Sequence, residues 1–112
     1  MTLKFKYKEW NVEVEFAEYY SPNNTAISLR DADDKELIAT ATTNTGRILP
    51  DGTVAIKNWS ENSGLDNDLV EAGILQKEPI GYIPSGMVEI PIYELTIEAN
   101  TERIKQLEGD DN

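Results

Sequence analysis

Hydrophobic and charged residues alternate through the first sixteen positions. Leu3, Phe5 and Tyr7 interleave with Lys4, Lys6 and Lys8, and Val12, Val14 and Phe16 interleave with Glu13 and Glu15. A period of two means two strands, each with one face buried. Antiparallel pairing about Trp10 and Asn11 sets the lysines beside the glutamates, with Lys8 opposite Glu13 and Lys6 opposite Glu15 for a two-residue turn. A four-residue turn keeps the same facing. The lysines therefore read as partners of the glutamates, not as a nucleic-acid contact, and each exposed pair contributes at most about 1 kcal/mol.

Tyr19 and Tyr20 run into Ser21, Pro22, Asn23 and Asn24, a strong turn signal, and close an edge of the core. Ala26 to Arg30 and Leu37 to Thr43 form the next strand pair across Asp31, Ala32, Asp33, Asp34 and Lys35. Three aspartates in four residues suggest a calcium loop. The glycine at the sixth position and the glutamate at the twelfth are missing, so the segment is a polar hairpin turn. Pro50, Asp51 and Gly52 form a turn in which proline fixes φ and glycine accepts a positive value.

From Thr53 the pattern changes period. Val54 and Ile56 suit a short strand. Leu65, Leu69 and Ala72 then fall on one side of a helix expected over Ser63 to Ala72, with Asn67, Asp68 and Glu71 opposite. Asn62 or Ser63 is placed to cap it, and Asp66 follows Ser63 at capping-box spacing. Gly73 supplies a left-handed stop, and Ile74 and Leu75 resume an extended chain. Pro79, Gly81, Pro84 and Gly86 predict a surface loop carrying Tyr82 and Ile83. Val88, Ile90 and Ile92 predict a last strand, which Pro91 marks as an edge or a bulge. Ile104 and Leu107 give a thin helical stripe within Glu98 to Leu107, and Glu108 to Asn112 should fray.

These elements predict one α+β domain over residues 1–98, with an antiparallel sheet of five or six strands packed on the central helix, and a helical or partly disordered acidic tail over 99–112. The expected core is Leu3, Phe5, Tyr7, Val12, Val14, Phe16, Ile27, Leu29, Val54, Ile56, Leu65, Leu69, Val88, Ile90 and Ile92. A chain of 112 residues with 39% apolar and 28% charged residues fits that class, burying ~65% of its unfolded surface. No apolar run is long enough for a membrane span, and the expected compartment is cytoplasmic.

Charge and missing residue types narrow the chemistry. With no cysteine and no histidine, disulfides, thiolate nucleophiles, ordinary zinc sites and imidazole relays are excluded. The isolated glycines match no phosphate-binding loop. Residues 61–112 hold twelve acids and three bases, so they carry −9 of the net charge of −11. Such a field disfavours nucleic acid and anionic membranes and favours basic partners.

The segments KNWSENSG and LVEAGIL, followed by a PSG turn into VEIPIYEL, resemble small uncharacterised proteins of phages and conjugative elements in gut and Gram-positive bacteria. The similarity covers the core, while the N-terminal half shares only its strand layout. It rests on Trp59, Glu61, Asn62, Gly64, Gly73, Gly86, Pro91 and Tyr93, most of which have duties in caps and turns. The resemblance implies a mobile-element origin and assigns no activity.

The leading expectation is a non-catalytic accessory protein, without cofactor or metal, that binds a basic protein partner through Glu61, Asp66, Asp68 and Glu71. No base lies between Asn58 and Gln76, although acids early in a helix also serve its dipole. Inhibition of a host defence or DNA-handling enzyme is the sharpest form of this expectation. An alternative is a small-ligand, nucleotide-type binder using Trp59, Asn62, Tyr82 and Arg47. A third is an assembly protein with the Pro91 strand as its interface. Glu61 with a neighbouring carboxylate could act as a glycosidase pair, but short strands rarely build the required cleft, so no enzyme is expected.

Overall fold

The computed structural model describes residues 3–108 and shows an α+β fold with two antiparallel sheets. The first is a meander of β1 (Lys4–Tyr7), β2 (Trp10–Glu18), β3 (Thr25–Asp31) and β4 (Leu37–Thr40), neighbours in that order. The second contains β5 (Thr53–Ala55), β6 (Gly81–Ser85) and β7 (Val88–Glu94) in the order β5-β7-β6. A 3₁₀ turn (Ser60–Asn62) and α1 (Leu65–Glu71) follow β5, and α2 (Ile97–Glu108) ends the chain. The sheets are joined where Thr42 bridges Ile56. There the Thr43 amide donates to the Ala55 carbonyl at 3.1 Å and the Lys57 amide to the Ala41 carbonyl at 2.8 Å.

Alternation decides which strand faces are buried. Tyr7, Val12, Val14, Phe16, Ile27 and Leu29 turn one face of the first sheet into the main core, where Val54, Ile56, Leu65, Leu69, Ile74, Leu75 and Tyr93 meet them. A smaller cluster of Leu49, Ala55, Ile90 and Ile92 lies apart, flanked by Trp59 and Ile83. Most of the expected core is buried; Leu3, Phe5 and Val88 are only half-buried.

Several local expectations change. The first hairpin turns at Lys8 and Glu9 rather than at Trp10 and Asn11, so Lys4 faces Glu13 and Lys6 faces Asn11. Lys8 takes a left-handed φ of 55° there. The expected surface loop at 79–86 contains strand β6, because Pro84 sits on an edge strand where a missing amide is tolerated. Pro91 lies instead in the central strand of its sheet. Its carbonyl accepts the Ile56 amide at 3.0 Å, which puts its missing N–H on the β5 side, just beyond the last residue of β5. The strand expected at an edge is therefore interior, and its loss is one bond at a ladder end.

The ends of the helices have separate origins. α1 starts at Gly64 in a left-handed conformation with no side-chain cap, so neither Asn62 nor Ser63 caps it. Asn62 is buried and donates to the Thr40 carbonyl at 2.7 Å, which commits its amide to holding the 3₁₀ turn against β4. At the other end Gly73 (φ 81°) and Ile74 complete a Schellman motif, their amides donating to Val70 and Leu69 at 3.0 Å each. For α2, the Thr96 hydroxyl accepts the Ala99 amide at 3.2 Å as an N-cap.

α2 packs on β2, so residues up to 108 belong to the folded unit. The Gln106 side chain acts as a short piece of strand: its Oε1 accepts the Phe16 amide at 2.7 Å and its Nε2 donates to the Val14 carbonyl at 3.2 Å. It thus closes the stretch of β2 that runs past the end of β1. The expected fraying at 109–112 lies outside the described residues.

Candidate functional site

The four acids singled out from the sequence separate into three environments. Glu61 sits on the 3₁₀ turn, where Lys57 Nζ lies 3.3 Å from its carboxylate and Lys8 Nζ donates to its carbonyl at 3.4 Å. Its own backbone amide, then Lys57, holds its carboxyl below the usual range. Asp66 turns inward: its Oδ2 accepts the Tyr93 hydroxyl at 2.9 Å and the Asn58 amide at 3.3 Å. Tyr93 is a main-core residue, and burial followed by the Asp66 bond pushes its phenol above the ordinary range. That phenol stays protonated and acts as a donor that ties α1 to β7.

Asp68 and Glu71 remain on the outer side of α1. Both are exposed, and among the described residues neither makes an ion pair. They line a groove of about 500 Å³ with Asn67, Ala72, Phe5 and Lys6. Its opposite wall is β1, which contributes Phe5 and Lys6. Phe5 and Lys6 were not assigned to this site from the sequence. They lie sixty residues from α1, and period-two patterning says which way a side chain points without saying which helix it meets.

Glu13 and Glu15 on the first sheet are neutralised within the fold. Glu13 Oε2 is 2.8 Å from Lys35 Nζ and 3.8 Å from Lys4 Nζ, and Arg30 Nε is 2.8 Å from Glu15. The Lys35 hydrogen bond holds the Glu13 carboxyl low. Two aspartates at the end of β3 and beyond serve the turn: Asp31 Oδ1 accepts the amides of Asp33 and Asp34, and Asp34 Oδ1 accepts that of Glu36.

The alternative ligand residues do not converge. Trp59 packs on the smaller cluster, Asn62 faces β4, and Tyr82 stands exposed on β6 opposite Pro91. Arg47 belongs to a loop organised by buried Asn24. The Asn24 amide donates to the carbonyls of Pro22 and Arg47, and its Oδ1 accepts from the amide and hydroxyl of Thr45 at 3.0 and 2.8 Å. Of the tyrosine pair, Tyr19 bonds Thr42, while Tyr20 is fully exposed. No helix among the described residues is long and apolar enough to cross a membrane. No family model, curated protein or solved structure matches this chain.

Proposed function

We propose that this is a non-catalytic accessory protein of a phage or mobile element, which binds a basic protein partner through the outer face of α1. The observation that supports this most is the contrast between the acids of α1 and the paired acids of the first sheet and the 3₁₀ turn. Glu13, Glu15 and Glu61 have lysine or arginine partners, whereas Asp68 and Glu71 stand one helical turn apart, exposed and without an ion pair among the described residues. Fixed carboxylates on a helix can occupy positions that phosphates take in a basic groove. A host defence or DNA-handling enzyme is the partner such a face would block. The small-ligand reading has less support, because Trp59, Asn62, Tyr82 and Arg47 lie on separate parts of the fold and line none of its best-formed pockets.

Affinity capture from a bacterial lysate tests the reading when run beside the Asp68→Lys/Glu71→Lys variant. The wild type should retain basic proteins at low salt and release them as the Debye length shrinks below about 8 Å. The variant should lose them with an unchanged melting temperature, since both side chains point to water. A variant that keeps every partner would refute the assignment.

A further inference from the structure

α2 has its polarity reversed for a surface helix. At ~100° per residue, Ala99, Glu102, Arg103 and Gln106 share the face turned to the protein, and the first three are buried. Their polar ends are engaged: Gln106 bonds β2 and Glu102, and Arg103 donates to Asn100 at 2.9 Å and lies 3.5 Å from Asp51. Ile97, Thr101 and Ile104 form a straight stripe on the opposite side, where Ile97 is 81% and Ile104 40% exposed. Beside this stripe lies a shallow, mainly apolar hollow of about 260 Å³, lined by Leu3, Ile97, Glu98, Thr101, Glu102 and Lys105. Packing within the chain accounts for the polar inner face and, among the described residues, leaves the apolar outer one without a partner.

We propose that this stripe is a self-association surface, on which a second copy of the chain packs its own α2 antiparallel about a twofold axis at Thr101. The sequence is self-complementary in that orientation. Ile97 of each copy meets Ile104 of the other, with the two threonine methyl groups between them. Glu98 and Lys105 project from one flank of the stripe, and a twofold axis brings like flanks together. Each Glu98 therefore meets the Lys105 of the other copy. Among the described residues neither Glu98 nor Lys105 makes an ion pair within its own chain. The hollow beside Leu3 lies on this same flank and extends the covered area. An anionic lipid surface fits less well, because Glu98, Glu102 and Glu108 lie along the helix.

A pair of single helices falls below the ~1,200 Å² of stable interfaces, so the proposed dimer is a weak, reversible one. Sedimentation equilibrium of the full chain from about 10 µM to about 1 mM covers the range in which a weak dimer forms. The wild type should show a reversible monomer–dimer equilibrium. Glu98→Lys and Lys105→Glu should each weaken it about tenfold, since either places two like-charge pairs across the axis. The Glu98→Lys/Lys105→Glu double variant restores both pairs and should return to within about threefold of wild type. Ile97→Asp should abolish the dimer without lowering the melting temperature, because Ile97 is exposed and an acid suits the first turn of a helix. A wild type that stays monomeric throughout, a double variant as weak as the singles, or an Ile97→Asp variant that still dimerises would each overturn the proposal.

Discussion

Single residues show where the fold depends on bonds that composition does not reveal. Tyr93 and Asp66 tie β7 to α1, and burial raises the tyrosine's pKa from 10.0. A raised folded-state pKa gives stability that is present below pH 10 and lost as pH climbs through the folded value, because the unfolded chain releases the proton first. Melting temperature should therefore fall in alkali beyond about pH 10, with Tyr93 the last tyrosine to form phenolate in a spectroscopic titration. Tyr93→Phe should flatten that slope and cost about 1–2 kcal/mol, since Asp66 keeps Asn58 as a donor. Glu13 and Glu61 act with the opposite sign. Their lowered pKa values stabilise the fold above the model-compound value of 4.5, and that contribution is lost as the pH falls through the lower folded values. Gly73 is a simpler case: a Cβ there would meet nothing within 4 Å, so Gly73→Ala should cost about 1–2 kcal/mol from its positive φ alone. Thermal unfolding of each variant measures these differences.

At the scale of elements, periodicity in the sequence located most strands and both helices but could not set register. Moving the first hairpin's turn from Trp10 and Asn11 to Lys8 and Glu9 shifts the pairing by four residues, which keeps every side chain on its face and still sets lysine against glutamate. Pro91 was misleading for a related reason: a proline reports only a missing donor, and which side of the strand that donor would face depends on neighbours far along the chain. Likewise, the thin stripe of Ile104 and Leu107 did not say which face of α2 turns inward; Gln106 and Thr96 fix the helix with Ile104 on the outside. Gln106 was not recognisable as structural because its partners, Val14 and Phe16, are about ninety residues away. Gln106→Ala strips the Phe16 amide of its partner and should destabilise by about 1–3 kcal/mol in denaturant unfolding, without changing the acidic face.

For the molecule as a whole, net charge alone was a poor guide to the candidate site. The chain carries −11, yet pairing with Lys4, Lys35, Arg30 and Lys57 neutralises acids on the first sheet and the 3₁₀ turn. Of the four acids picked out from the sequence, Asp68 and Glu71 alone are exposed without an ion pair among the described residues, because Glu61 has Lys57 and Asp66 turns inward to Tyr93. The absence of bases around α1 was legible in the sequence; the sorting of its acids required the long-range contacts of the fold. The proposed binding therefore depends on the position of charge rather than its total, and two double reversals of equal charge separate these. Asp68→Lys/Glu71→Lys changes the α1 face, while Glu36→Lys/Glu89→Lys changes two exposed acids that make no ion pair among the described residues. The decisive measurement is the affinity of both variants for the captured basic partner at one ionic strength, beside the wild type. Loss of binding of about tenfold or more in the α1 variant, with the other close to wild type, is the expected result. Equal loss in both would mean that the partner senses only the overall field, and would contradict a binding site on α1.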